Sequence, residues 1–172
     1  PAGVAAELAA ALGADVPSQL RPGLFLGTGA GEVVEPRERL PEHAFVIVPH
    51  DFGLSTAEVY READRLGLPR DASDLAARHA EVRAAGWPPL VNDLEPAALS
   101  LRPEINRALD AVRGAGADHA MVSGSGPTVF GLFTGPDAPA RAGDAAARLA
   151  DRYSGATSAT PVSEEFGRPR GS

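Results

Sequence analysis

Two groups of residues have the types and spacing to do chemistry. The first is Gly13-Ala14-Asp15-Val16-Pro17, at the end of an apolar helical pattern; the second, about a hundred residues later, is Ser123-Gly124-Ser125-Gly126-Pro127-Thr128. A short carboxylate held at a helix end can orient a substrate hydroxyl, and a glycine-rich loop can bring backbone N–H groups against a phosphate or another polar ligand. Residue types alone leave each open. An Asp after a helix-terminating Gly is most often a cap, and a strand-turn-strand explains the glycine segment without a ligand.

Those residues must be positioned by regular elements. Val4, Leu8 and Leu12 place one apolar stripe on a helix over residues 1–12, which Gly13 stops. Asp15 is placed to cap a short turn through Pro17 and Gln19, near a positive helix end. Leu24–Leu26 and Val33-Val34 read as two short strands around Gly27–Gly31. The run Ala44–Val48, ended by Pro49, predicts a buried central strand. Ser55, with Glu58 three residues on, predicts a capping box for a helix to Leu66, and Thr56 also reads as a cap. Tyr60 lies one turn beyond Thr56 on the same face, where spacing alone favours core packing. A further helix is predicted over residues 73–85, closed by Gly86-Trp87-Pro88-Pro89 with Trp87 as a packing anchor. Asn92 or Asp93 caps the next segment, which bends at Pro96 and Pro103, and a helix carrying Ile105, Leu109 and Val112 ends at Gly114 and Gly116. The last unit reads as strand 120–122, the glycine loop, strand 129–133, helix 138–153 and strand 156–162, followed by a frayed tail. Strands joined partly by hairpin turns predict an α+β sandwich with an antiparallel sheet, in preference to a doubly wound parallel one.

Composition narrows the function classes. The 172 residues carry a net charge of -7, with scattered arginines, so a nucleic-acid footprint is not expected. There is no cysteine, and the histidines at 43, 50, 79 and 119 are too dispersed for a helix-spaced metal motif, so no protein-held metal is expected. Apolar runs are broken by Gly, Pro or charge well short of a membrane span, which predicts a cytoplasmic protein without a membrane partner. All sixteen basic residues are arginine, so no lysine point charge is available for phosphate. Neither the segment from Gly124 nor Gly27–Glu32 completes a dinucleotide fingerprint, and His50-Asp51-Phe52-Gly53 lacks the partner motifs of a protein kinase.

Taken in order, Gly13–Pro17, Gly53-Leu54-Ser55-Thr56-Ala57-Glu58-Val59-Tyr60, Asn92-Asp93-Leu94-Glu95 and Ser123–Phe130 resemble the C-terminal portion of a GHMP kinase over residues 1 to 162. Gly-Ala-Asp-Val-Pro favours the branch that phosphorylates the 2-hydroxyl of a cytidine diphosphate sugar alcohol in isoprenoid precursor synthesis. The glycine motif alone is shared with homoserine kinase. The resemblance implies an α+β C-terminal domain at residues 41–164, preceded by the tail end of the N-terminal domain at 1–40 and followed by a flexible tail at 165–172. It implies ATP as donor and Mg2+ as its companion, with no ligand for the metal identifiable in this chain. Asp15 would be the catalytic base or orienter. Thr56 would help hold the substrate, Tyr60 would stack on cytosine, and Gly124, Ser125 and Gly126 would line the site.

The family's N-terminal half, with its lysine and main phosphate loop, does not match anything in the sequence. The expectation is therefore a truncated kinase, inactive alone, with the Val4, Leu8 and Leu12 face uncovered and a missing N-terminal half as its partner. A non-catalytic α+β ligand-binding domain is the reading from another class. It accommodates the missing lysine but leaves the order of four motifs without an explanation.

Overall fold

A computed structural model of the chain describes residues 2–13, 16–20, 23–29, 31, 33–38, 40–84 and 90–162, with the side chains of 2–6 excepted. The chain divides into two compact units, one running to Leu40 and one from Pro41 to Thr160. In the first, helix α1 (Ala2–Leu12) precedes a 3-10 turn at Pro17–Leu20 and a hairpin of β1 (Leu24–Thr28) and β2 (Val33–Arg37). The hairpin is antiparallel, with Leu24 opposite Arg37 and Thr28 opposite Val33, so β1 takes in Gly27 and Thr28, which the sequence places in the turn. Leu8 and Leu12 of α1 are 62% and 79% exposed.

The second unit contains β3 (His43–Val48), α2 (Thr56–Leu66), α3 (Ala72–Ala84), α4 (Glu95–Leu101), α5 (Ile105–Gly114), β4 (His119–Val122), β5 (Val129–Thr134), α6 (Ala138–Ala150) and β6 (Thr157–Ala159). Its four strands form one antiparallel sheet in the order β4-β5-β3-β6. The expected central strand is there: β3 alternates half-buried and buried residues, turning Ala44, Val46 and Val48 into the core. Against that face lie Ile105, Leu109 and Val112 of α5 and Ala138, Ala142, Ala145, Ala146 and Leu149 of α6. Their helical spacing builds one apolar stripe on each helix. Burial of each Val, Leu or Ile contributes about 1.5–3 kcal/mol, and the alanines let α6 approach the sheet closely. A smaller cluster of Val59, Ala63 and Ala97 joins α2 to α4.

Several boundaries differ from the sequence reading. Ser55 is the N-cap of α2 but makes no side-chain capping bond, so the expected capping box is absent; its carbonyl accepts the N–H groups of Glu58 and Val59. Helix α3 is capped instead by Asp71, whose Oδ1 accepts from the N–H groups of Ser73 and Asp74 at 2.8 and 2.9 Å. Pro96 does not bend a helix but occupies the first turn of α4, where its missing N–H leaves no bond unmade. Helix α6 stops at Ala150, short of Tyr153, and its last turn tightens, with the Arg152 N–H (i to i−3) sharing the Leu149 carbonyl with the Tyr153 N–H. Strand β6 pairs with β3 only over Thr157–Ala159. Pro161 follows close behind and has no N–H with which to extend the ladder. The tail and Trp87 lie outside the described residues.

One close approach governs the layer. A Cβ on Gly131 of β5 would press against Val112 of α5 and lie 2.9 Å from Ala117 and 3.0 Å from Val46. Glycine here is the condition for α5 to seat on the sheet. Gly131→Ala is expected to destabilise the domain by about 1–3 kcal/mol through overpacking, read as a lower urea midpoint at unchanged m-value; an unaltered midpoint would refute this packing account.

Candidate functional site

The glycine loop forms because β4 and β5 are antiparallel neighbours joined by six residues, with Val122 opposite Val129 at its base. The Ser123 N–H donates to the Thr128 carbonyl at 2.8 Å, and the Gly126 N–H donates to the Ser123 carbonyl at 2.9 Å. Gly124 and Gly126 take φ of 57° and 80°, a left-handed backbone that disfavours any side chain. A Cβ at Gly126 would lie 3.0 Å from Val122, whereas at Gly124 it would meet nothing within 4 Å. Gly126 thus turns inward and Gly124 faces open space. The N–H groups of Gly124 and Ser125 have no hydrogen-bonding partner among the described residues. Such an open pair of donors suits a phosphate or a polar substrate.

Thr56 begins α2, and its Oγ1 lies 3.0 Å from Oγ of Ser125, a hydrogen bond across 69 residues of chain. The two hydroxyls are brought together as a pair, and Thr56 is not a helix cap. Tyr60, one turn further along α2, is 57% exposed, so its ring is not the core residue that spacing favoured; Val59 fills that place. Asp15 lies outside the described residues.

The turn before α4 supplies contacts that the sequence reading missed. The expected cap at Asn92 or Asp93 is not made, since the N-cap of α4 is Leu94 without a side-chain capping bond; Asn92 Oδ1 accepts the Leu94 N–H in the turn ahead of the helix (3.0 Å), and its Nδ2 donates to the carbonyls of Val122 and Gly124 at 2.9 and 2.7 Å. Glu95 Oε2 accepts the Val122 N–H at 2.8 Å. Asp93, the alternative cap, instead receives two hydrogen bonds from Arg70, at 2.6 and 2.5 Å, and that guanidinium holds its carboxyl below the usual carboxylate range. The signal available in sequence was an amide, able to donate and accept at once, beside two carboxylates; what they reach depends on the fold.

His50, after β3, packs its ring 4.8 Å from Phe52 and 6.2 Å from Tyr153. The Tyr153 hydroxyl is buried without a hydrogen-bonding partner among the described residues, and the His50 ring nitrogens are buried beside the Pro127 backbone. Burial lowers the His50 pKa, against the opposing pull of the Pro127 backbone, Asp51 and Glu104. Among the described residues no group of three or more His, Asp or Glu side chains fits a metal ion, and no helix is long and apolar enough to cross a membrane.

Residues 70–152 match the family described as GHMP kinases C terminal. The chain is 47% identical over 137 residues to 4-diphosphocytidyl-2-C-methyl-D-erythritol kinase of Nocardioides sp., covering 76% of this chain and 46% of that protein. It is 46% identical over 135 residues to the kinase of the same name from Streptomyces coelicolor, covering 74% of this chain and 45% of the relative. The chain therefore spans about half the length of the curated relatives it matches. Among solved structures, a 4-(cytidine 5'-diphospho)-2C-methyl-D-erythritol kinase superposes with a TM-score of 0.61 at 34% identity, over 81% of this chain and 52% of that one. Homoserine kinase from Cytophaga hutchinsonii gives 0.55 at 26% identity, over 87% and 51%.

The depressed His50 pKa has a definite sign in stability. The unfolded chain binds the proton more readily, so the stabilisation is complete above the unfolded histidine pKa of about 6.5 and is lost as pH falls through the folded value. The melting temperature of the wild type should fall from about pH 7.5 to pH 5.5, and His50→Gln should flatten that slope; equal slopes would remove His50 as its source.

Proposed function

We propose that this chain, which belongs to the GHMP kinase superfamily through its C-terminal domain, forms the C-terminal part of an ATP-dependent kinase acting on the 2-hydroxyl of 4-diphosphocytidyl-2-C-methyl-D-erythritol. The observation that carries this reading is the Thr56–Ser125 hydroxyl pair at 3.0 Å, which joins two of the four motifs beside an open glycine backbone. Relatives at 47% and 46% identity bear the name of that kinase, which supports the choice of substrate.

Phosphoryl transfer asks little covalent chemistry of a protein; in-line orientation and neutralisation of charge are the main work. ATP, when bound, supplies the γ-phosphoryl group. Asp15 orients the 2-hydroxyl and accepts its proton as the new oxygen–phosphorus bond forms and the bond to ADP breaks. Thr56 and Ser125 present hydroxyls that hold the polar substrate, and the Gly124 and Ser125 N–H groups face its charged part, with Gly126 turning the backbone to aim them. Tyr60 offers an exposed flat ring to the cytosine, in keeping with the stacking that any base permits. Thr56, Tyr60 and the glycine loop assign this part of the enzyme the acceptor side of the reaction. A cytoplasmic location is in keeping with a supply of ATP and with the absence of a membrane-length apolar helix among the described residues.

Two measurements on the full-length enzyme containing this chain test the reading. Asp15→Asn should lower kcat by about 10²–10⁴-fold, the range for a positioned acid–base group, with turnover followed as ADP release on the cytidine diphosphate alcohol and on homoserine. Preference for homoserine would instead favour the reading suggested by the Cytophaga hutchinsonii structure. Tyr60→Ala should weaken binding of the cytidine substrate by about 1–3 kcal/mol, and unchanged affinity would take Tyr60 out of the site.

A further inference from the structure

We propose that Asn92 and Glu95 are positioning residues that hold the glycine loop in its substrate-binding shape, a claim that rests on the kinase reading for its functional consequence. Strand β4 is at the edge of its sheet, so the backbone groups it turns away from β5 have no neighbouring strand. At Val122, its last residue, both of those groups are met by side chains from the entry of α4. Glu95 Oε2 accepts the Val122 N–H at 2.8 Å, and Asn92 Nδ2 donates to the Val122 carbonyl at 2.9 Å. The second N–H of the same amide reaches into the loop itself, to the Gly124 carbonyl at 2.7 Å. Two side chains thus do the work of a fifth strand at the one place where β4 becomes the loop.

The chemistry of position 92 is narrow. Its NH2 group bonds two carbonyls while its oxygen accepts the Leu94 N–H, so the amide uses both donors and an acceptor together. An aspartate would keep the bond from the Leu94 N–H and set a carboxylate against two carbonyl oxygens. The loop is also held from its other side, since Ser125 bonds Thr56 of α2, and α2 is tied to α4 by the Ser100 Oγ–Glu62 Oε1 bond at 2.5 Å. The same carboxylate takes two bonds from Arg65, and Arg65 first, then Ser100, pull the Glu62 pKa down to about 2, so this tie persists across physiological pH. Thr56, Ser125, Asn92 and Glu95 close one circuit from α2 through the loop to α4. Releasing the α4 side shifts the Gly124 and Ser125 donors and the hydroxyl pair together, which a helix cap alone would not do.

The test is Asn92→Asp in the full-length enzyme, with Glu95→Ala and Glu95→Gln beside it. Asn92→Asp should raise KM for the cytidine diphosphate alcohol about tenfold or more with a much smaller change in kcat, alongside a lowered melting temperature from the two carbonyls left bare. Glu95→Ala should show the same split, and Glu95→Gln, which retains an acceptor for the Val122 N–H, should recover most of the loss. An unchanged KM in Asn92→Asp, or no recovery in Glu95→Gln, overturns the proposal. If Asn92→Asp does not fold, the Glu95 pair decides by the same comparison. If the wild-type enzyme does not turn over this substrate, the kinase reading fails. Amide exchange over residues 123–126 then decides: faster exchange in Asn92→Asp upholds the clamp, and equal exchange refutes it.

Discussion

The seating of α5 on the sheet is the constraint from which the second unit follows. Gly131 sits opposite Val46 on one side and Ala120 on the other, at the middle of three adjacent strands, with Val112 of α5 directly above it. A larger residue would lift the helix and open voids along Val46, Val48, Val122 and Val129, all of them fully buried. Small residues recur on α6, where alanines line the buried stripe, so both helices lie close to the same strands. The tight layer fixes β4 and β5 in register, and the register fixes where their connecting loop begins and ends.

At that loop the backbone changes from a ladder to a set of individually satisfied groups. Two short-range hydrogen bonds close the turn, glycines at positive φ allow it, and side chains of α2 and of the turn before α4 meet Ser125 Oγ and the Gly124 carbonyl, which leaves the Gly124 and Ser125 N–H groups open. Backbone groups left bare at such a point cost about as much as a lost hydrogen bond, so satisfaction from Asn92 and Glu95 stabilises the edge as well as shaping it. The result leaves Gly124 facing open space between fixed supports, an arrangement in which a ligand meets donors already aimed.

Much of this was legible from residue order. The β3 strand, the α5 stripe of Ile105, Leu109 and Val112, and the strand-loop-strand around the glycines follow from periodicity and from Gly and Pro punctuation, which are local properties. The errors are local rules overridden by neighbours. Ser55 and Glu58 have the spacing of a capping box, yet Ser55 makes no side-chain cap, while Thr56 beside it bonds a loop far along the chain. Tyr60 falls on a face where an aromatic would ordinarily be buried, but the adjacent Val59 occupies the contact with α4. Asn92 and Asp93 both have the residue type of a cap, yet neither caps α4: Arg70 holds Asp93, and Asn92 reaches the glycine loop.

By itself, the sequence determined the kinds of element, their order, and the four motifs that mark the superfamily, because helix and strand periods and glycine turns are set by residues a few positions apart. Only the tertiary structure decided which polar groups meet. Thr56 and Ser125 are 69 positions apart, and Asn92 reaches its two carbonyls across 30 and 32. A hydrogen bond forms only within a few tenths of an ångström of its preferred length, and distances of that kind are fixed by sheet register and helix seating, not by spacing along the chain.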